Sequence, residues 1–245
     1  NTTYKYHLAE FGFSDVWYKN LRFGLGLRFE YYKYKDFLFK KPELTGLDVE
    51  SEHFLSYFAQ VYYSTFDKGY FPSKGTEFKA AYSLYTDNMA QYNDHAPFSA
   101  LSGSWASVVP VTRRFSIIPS IYGRVLIGKD IAYPLQNAIG GEVYGLYIPQ
   151  QLPFAGVTNM ELMDNSIMIA SVKLRQRMGS IHYLTLTGNY GLTDSHFFEI
   201  LKGKQLFGIS AGYGMDSMFG PLEITFGYSN QTDKGSCYVN LGYYF

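Results

Sequence analysis

The end of the chain, residues 235–245, alternates strictly between two kinds of side chain. Every second position is apolar, and the positions between them are mostly polar or small. The apolar positions are Cys237, Val239, Leu241, Tyr243 and Phe245. Because successive side chains of an extended strand point to opposite faces, this pattern predicts a strand with one apolar face and one polar face.

The same alternation recurs upstream in segments separated by turn-forming residues. The predicted strands are 3–11, 18–35, 53–65, 75–85, 99–111, 114–128, 166–177, 182–191, 205–214 and 222–229. With the terminal segment this makes about eleven strands of about ten residues, the length that crosses a bilayer when a strand is tilted by about 45°. The sequence therefore predicts an all-β fold, a transmembrane antiparallel β-barrel with about eleven strands in this chain.

The polar faces of several predicted strands carry charged side chains near the middle of the strand. These side chains include Arg22, Arg28, Glu30, Lys173, Arg175, Arg177 and Glu223. A soluble sandwich or lipocalin-like barrel, the alternative, would need an apolar interior. Charges opposite an apolar stripe indicate a hydrated lumen instead, so we interpret Lys173, Arg175, Arg177 and Glu223 as charges on the lumen wall.

The connections alternate in length, which is typical of outer-membrane barrels. Short turns at 111–114 and 177–180 alternate with longer loops at 36–52, 86–98, 129–163 and 192–204. If the C-terminus is periplasmic, the longest loop, 129–163, lies outside the cell and the first strand begins there. A complete barrel has an even number of strands with both ends periplasmic. We therefore expect residues 1–245 to be one barrel domain that is N-terminally incomplete.

Composition supports a membrane location and excludes several functions. Aromatic residues make up 19% of the chain, with 24 Tyr, and tyrosine suits the boundary between lipid and water. The formal net charge is zero, so nucleic acid is not an expected partner. With one cysteine and no metal or phosphate motif, we expect no cofactor and no metal site. Outer-membrane lipid is the expected partner.

Three stretches carry a resemblance to a family: residues 62–85, residues 137–162 followed by 171–191, and residues 220–245. They resemble the BamA-like superfamily of outer-membrane barrels, and most of all the C-terminal barrel of bacterial patatin-like phospholipases. The resemblance implies a 16-stranded barrel in the outer membrane that acts as a membrane anchor or translocation pore for an upstream patatin-like domain. It also implies the barrel-assembly machinery as a partner, with Tyr243 and Phe245 in the C-terminal signal that this machinery reads.

The long loop departs from the pattern of that superfamily. There the loop tip carries an Arg-Gly-aromatic motif whose arginine meets acidic residues on the inner wall; here the segment reads Gly140, Gly141, Glu142. One hypothesis is that the ion pair is kept with its signs exchanged, so that Glu142 faces the cations of the wall. The alternative is that the glycines make a simple turn, Glu142 is solvated, and Glu223 neutralises Arg175.

Catalytic motifs are scarce. Spacing assigns no partner to any of the five histidines, His7, His53, His95, His182 and His196. We therefore expect no catalytic residues and no enzymatic activity in this chain, and any linked hydrolase domain would lie outside it. The remaining alternatives are a passive diffusion porin and a barrel enzyme acting on lipids.

Overall fold

The computed structural model describes residues 2–37, 52–88, 90–92, 96–129, 131–142, 148–232 and 235–242. Six long strands come first: β1 (Thr2–Tyr18), β2 (Leu21–Phe37), β3 (Glu52–Ser64), β4 (Gly75–Tyr85), β5 (Phe98–Pro110) and β6 (Phe115–Ile127). The next connection holds a 3₁₀ turn (Tyr133–Leu135) and three short strands, β7 (Asn137–Ile139), β8 (Gln151–Leu152) and β9 (Leu162–Asp164). Five long strands follow: β10 (Ser166–Met178), β11 (His182–Asp194), β12 (Lys204–Ser217), β13 (Gly220–Ser229) and β14 (Gly235–Leu241). A second 3₁₀ turn, Phe197–Lys202, joins β11 to β12.

The eleven long strands form one antiparallel sheet. Each pairs with the next long strand along the chain, and β6 pairs with β10, so the connection between them lies outside the sheet order. The prediction of an all-β fold with about eleven antiparallel strands is confirmed. Within the described residues, β1 and β14 form the two edges of the sheet and do not pair with each other.

The first strand is longer than the sequence pattern predicts, and the second begins and ends later. β1 continues through residues 12–15 to Tyr18, and β2 begins at Leu21 after a turn of two residues. Glycine, serine and aspartate at 12–15 favour turns in isolation. Here Gly12 pairs directly with Gly26, and the cross-strand ladder overrides that local preference.

The two faces of the sheet have opposite polarity. Large apolar side chains on the outer face are exposed: Val172, Leu184, Leu186, Phe207, Ile209, Phe226, Val239 and Leu241. Polar side chains on the inner face are buried: Ser171, Arg175, Asn189, Thr193, Ser210, Thr225, Ser229 and Ser236. This is the reverse of a soluble barrel, and it fits a sheet with hydrocarbon outside and a polar lumen inside.

The sheet curves around the connection between β6 and β10. Gln150 in that connection lies 3.5 Å from the Tyr32 hydroxyl on β2, and the Tyr238 hydroxyl on β14 donates to the Val157 carbonyl at 3.0 Å. Measured along the sheet, nine strand spacings separate β2 from β14, or roughly 43 Å. Residues 150–157 extend at most about 25 Å. Both contacts are possible only because the sheet is rolled into a barrel wall.

The two ends of the wall differ in the length of their connections. The end at which β14 finishes carries short turns at 19–20, 111–114, 179–181 and 218–219, together with the turn 65–74. The opposite end carries the connection between β6 and β10 and the one between β11 and β12. In the described part of the chain, no helix has the length and apolarity to cross a membrane.

Candidate functional site

The connection between β6 and β10, residues 128–165, which we call the long loop, packs against the inner face of the wall. Its short strands form a small sheet in the order β8-β7-β9. The buried side chains of Ile139, Phe154 and Val157 pack against Ile167 on β10 and Leu206 on β12. The long loop therefore contributes to an apolar core inside the barrel, beside the polar groups of the wall.

Hydrogen bonds attach the base of the long loop to β6. The Arg124 guanidinium donates to the Leu135 carbonyl at 2.8 Å and to the Asn137 side-chain oxygen at 2.6 Å. Asn137 in turn donates to the carbonyls of Arg124 and Asn165, at 2.9 Å and 2.8 Å. Asn137 is fully buried, so these bonds replace the water that its amide would otherwise need.

A second set of hydrogen bonds holds the middle of the long loop. The Tyr122 hydroxyl donates to the Pro153 carbonyl at 2.7 Å and accepts from the Asn189 amide at 3.2 Å. The Asn189 side-chain oxygen accepts from the Ala155 backbone at 3.4 Å. Side chains on β6 and β11 thus form hydrogen bonds with backbone groups of the long loop rather than with its side chains.

Gly140 and Gly141 set the direction in which the chain enters the lumen. Both have a positive φ, 124° and 86°, which L side chains rarely adopt. The Gln151 side chain donates to the Gly140 carbonyl at 2.7 Å, and the Gly141 backbone donates to the Val157 carbonyl at 2.9 Å. The paired glycines therefore make a tightly held turn, and the residue that follows is Glu142.

Glu142 lines a cavity of about 350 Å³ between the long loop and the wall. Charged side chains from the wall also line it: Glu77, Lys79, Lys173, Arg175 and Glu223. From the opposite end of the barrel, Phe66, Phe71 and Pro72 of the turn 65–74 close it. The structure thus brings Glu142, Lys173, Arg175 and Glu223 into one cavity, whereas Arg177 does not line it.

The charged side chains in this cavity influence one another electrostatically, although Glu142 forms no close ion pair with a described residue. Lys173 lies 3.9 Å from a Glu223 carboxylate oxygen. Among the described residues, none forms an ion pair with Glu142 within 4.0 Å. Burial raises the pKa of Glu142 to about 7; nearby Lys173 lowers it and Glu223 raises it. Desolvation therefore outweighs the attraction of Lys173.

The turn 65–74 extends into the lumen from the end where β14 finishes. The Phe71 ring stacks on the Tyr183 ring with centroids 4.4 Å apart, and the Arg175 guanidinium donates to the Pro72 carbonyl. Arg175 also lies over the Tyr183 ring, 5.7 Å from its centroid. The sequence did not indicate that this turn extends inward to β10 and β11.

Asp67 shapes that turn. Its carboxylate accepts from the Ser73 backbone at 2.7 Å, from the Ser73 hydroxyl and from the Lys74 backbone at 3.4 Å. Burial alone would raise the pKa of Asp67, but these hydrogen bonds outweigh burial and hold it below its usual value.

A buried carboxylate on β2 was missed as a site residue by the sequence analysis. Glu30 is 3% exposed and accepts hydrogen bonds from the hydroxyls of Tyr6, Tyr32 and Tyr85, at 3.1, 3.0 and 3.0 Å. Tyr32 also reaches Gln150 of the long loop. Glu30 and Tyr32 share a face of β2 in the sequence, but Tyr6 and Tyr85 join them only through the pairing of four strands.

The remaining site residues divide into two groups. Tyr243 and Phe245 lie outside the described residues, as does His95. At the opposite end of the barrel, Asp194, His196 and Glu199 place possible ligand atoms within 4.8 Å of one another. His196 and Glu199 are exposed, and exposed groups of this kind are common without a metal, so we assign no site to them.

Comparison with known proteins agrees with this architecture. A family model described as the OMP85 superfamily matches residues 1–245. No curated protein sequence is similar to the chain. Among solved structures, the crystal structure of BamA from Haemophilus ducreyi lacking POTRA domains 1–3 is similar, with a TM-score of 0.70 and 11% sequence identity. The match covers 97% of this chain and 55% of that chain, so this chain spans about half the length of the BamA it resembles.

Proposed function

Because this chain belongs to the OMP85 superfamily of bacterial outer-membrane barrels, we propose that it forms a barrel that is closed at rest and serves as a membrane anchor or translocation unit. The attached domain that it anchors or exports is patatin-like, a proposal that rests on the resemblance of residues 137–162 and 171–191 to patatin-linked barrels. A single observation carries the closed state: residues 150–157 contact the wall from β2 to β14 across the lumen.

Two separate segments support closure. The long loop fills the lumen from one end, and the turn 65–74 enters from the other, where Phe71 packs on Tyr183. The cavity left between them is about 350 Å³ and is lined by both. A passive diffusion porin needs a continuous water-filled channel, and an obstruction from both ends disfavours that alternative.

Conductance in planar bilayers tests closure. We expect the protein expressed from its native reading frame to conduct little, and its variant with residues 137–163 replaced by a flexible Gly/Ser linker to conduct steadily. The matched control replaces residues 195–203, which join β11 to β12 at the same end, and we expect it to conduct as little as the unmodified chain. Steady, large conductance by the unmodified protein expressed from its native reading frame would establish a passive porin and overturn the proposal.

The barrel itself is not expected to hydrolyse phospholipid. Incubation of the purified barrel with radiolabelled phospholipid tests this point separately from closure. Release of fatty acid by the folded chain, lost on unfolding, would establish a barrel enzyme acting on lipids instead.

We propose that the end carrying the short turns, including the end of β14, faces the periplasm. Short periplasmic turns and long external loops are usual for such barrels. Cys237 can be replaced by serine, after which a single cysteine is placed at Lys202 or at Ser180, both exposed and at opposite ends. A membrane-impermeant maleimide added to intact cells should label the Lys202→Cys variant and spare Ser180→Cys; the opposite result would reverse the orientation.

We also propose that the eleven strands belong to a 16-stranded barrel. The support is that β1 and β14 are the edges of the sheet and, among the described residues, do not pair with each other. Unpaired edges expose a row of backbone hydrogen-bonding groups that lipid cannot satisfy. The length of the native reading frame tests this: it must encode further strands before residue 1.

A further inference from the structure

A second cavity, of about 300 Å³, opens at the end of the barrel that carries the short turns. Six basic side chains line it: Lys68, Lys74, Arg113, Arg114, Arg175 and Arg177. No acidic residue is among its lining residues, all of which belong to the described part of the chain. We call this cavity the basic mouth.

Three segments far apart in sequence supply these charges. Lys68 and Lys74 belong to the turn 65–74, Arg113 and Arg114 to the turn 111–114, and Arg175 and Arg177 to the end of β10. The basic mouth is therefore not a run of surface lysines on one loop. It forms only when the sheet is assembled and the turn 65–74 enters the lumen.

Local hydrogen bonds fix the arginine turn in place. The Thr112 hydroxyl accepts from the Arg114 and Phe115 backbones at 3.2 and 3.0 Å. The Arg177 backbone donates to the Arg114 carbonyl at 2.7 Å, which ties the turn to β10. Arg177 also donates from its side chain to the Ser180 carbonyl at 3.0 Å. Because hydrogen bonds already fix the backbone that carries these charges, ligand binding costs less conformational entropy than it would at a flexible loop.

Two acids lie beside the basic mouth in the described part of the chain. Asp216 lies 3.9 Å from Lys68, and the Asp67 carboxylate is held by the Ser73 and Lys74 backbones. These two carboxylates face a lining that carries six cations. Like charges this close repel one another, so an anion bound among them would be stabilised by relief of that repulsion as well as by direct contact.

The chemistry of the lining selects the class of anion. Four of the six cations are arginines, whose planar guanidinium groups donate two parallel hydrogen bonds to phosphate. The volume is at the lower end of the range for small-ligand sites. We propose that the basic mouth binds a phosphate group, carried either by a small soluble phosphate compound or by the headgroup of a lipid that reaches over the rim at the turn 111–114.

Isothermal titration of the chain in zwitterionic micelles with inorganic phosphate and pyrophosphate tests the soluble source. The test variant is Arg113→Gln combined with Arg114→Gln, because both side chains are exposed and removing them leaves the turn's backbone bonds intact. Lys19→Gln is the matched control, since Lys19 is an exposed cation on another turn at the same end. Heat-modifiable mobility on gels establishes that each variant is folded.

A parallel measurement tests the lipid source. The same three proteins are placed in mixed micelles with phosphatidylglycerol, exchanged into zwitterionic detergent and assayed for retained phosphatidylglycerol. We expect the double arginine variant to lose at least about tenfold in affinity for one of the two sources, with Lys19→Gln unchanged, and we expect high salt to weaken the binding. A binding signal in the titration with pyrophosphate identifies a soluble phosphate compound as the source. Retention of phosphatidylglycerol without such a signal identifies the lipid headgroup.

Two results would overturn the proposal. One is that neither phosphate source binds to the folded chain. The other is that the Lys19→Gln variant loses as much binding as the double arginine variant, which would mean diffuse attraction to surface charge. These outcomes are independent of closure, because conductance of the unmodified chain does not depend on Arg113 or Arg114 in the proposed function.

Discussion

Gly156 of the long loop and Gly227 of β13 meet backbone to backbone. A Cβ added to Gly227 would lie 2.6 Å from the Gly156 nitrogen and 2.9 Å from its Cα. Gly156 itself has a φ of 81°, and a side chain there would overlap the Tyr228 backbone. The wall and the loop can approach this closely only because neither residue has a side chain. This contact joins the loop to the wall far along the sheet from β6.

The first prediction follows from that contact. Gly227→Val should push the long loop away from β13 while leaving the strand itself intact, because valine is favoured in strands. We expect faster proteolysis within residues 148–163 and a rise in conductance. The control is Gly188→Val, since a Cβ at Gly188 meets no atom within 4 Å. Equal protease resistance of the two variants would show that the Gly156–Gly227 contact does not hold the loop.

The second prediction concerns pH. The folded pKa of Glu142, about 7, lies above its ordinary value of 4.5. Glu142 therefore favours the docked loop while it is protonated, and docking weakens as pH rises from about 4.5 through about 7, by at most about 3 kcal/mol. A dye on a cysteine at Thr158, with Cys237 replaced, reports docking. Glu142→Gln should remove this pH dependence; its persistence would assign it to another group.

The third prediction tests the hypothesis that the loop–wall charges have exchanged signs. Glu142→Arg places a cation in the cavity with Lys173 and Arg175, so we expect the loop to loosen and its proteolysis to accelerate. Adding Lys173→Glu should restore protection. Lys173 is the better partner to reverse, because Arg175 also holds the Pro72 carbonyl. If Glu142→Arg leaves cleavage unchanged, other contacts hold the loop and the hypothesis fails.

The fourth prediction tests which face meets lipid. Leu186 is 45% exposed on the outer face of β11, and its neighbour Thr187 lines the inner cavity. Leu186→Arg should destabilise the barrel by about 2–4 kcal/mol, the cost of arginine near the bilayer midplane. Thr187→Arg should cost much less, since it enters a polar cavity that contains Glu142 and Glu223. Urea unfolding in vesicles compares the two, and the reverse order would contradict the assigned faces.

The fifth prediction concerns Tyr244 and Phe245, which lie outside the described residues, so it rests on the sequence alone. Phe245 shares the apolar parity of Leu241, whereas Tyr244 has the opposite parity. By its resemblance to the signal read by the barrel-assembly machinery, Phe245→Asp should reduce insertion far more than Tyr244→Asp. The yield of heat-modifiable protein in outer-membrane fractions measures this, and equal yields would refute it.

The alternation of apolar and polar residues was sufficient to predict the eleven long strands and their faces. A strand repeats every two residues, so the face of Lys173 or Val172 follows from parity alone. Pairing between neighbours in sequence then determines most of the sheet. The alternation misled where local turn preference competed with a long ladder, as at residues 12–15, and it did not predict the short strands β7, β8 and β9.

The contents of the lumen depended on tertiary structure. One hypothesis from the sequence placed Glu142 opposite the cations of the wall, which include Lys173. The burial of Glu142, the sharing of Lys173 with Glu223 and the entry of the turn 65–74 arise from contacts between distant segments. The three tyrosines around Glu30 come from three strands. Each of these contacts forms when a curved sheet brings side chains that are distant in sequence into a confined space. The two-residue alternation of a strand carries no information about such contacts.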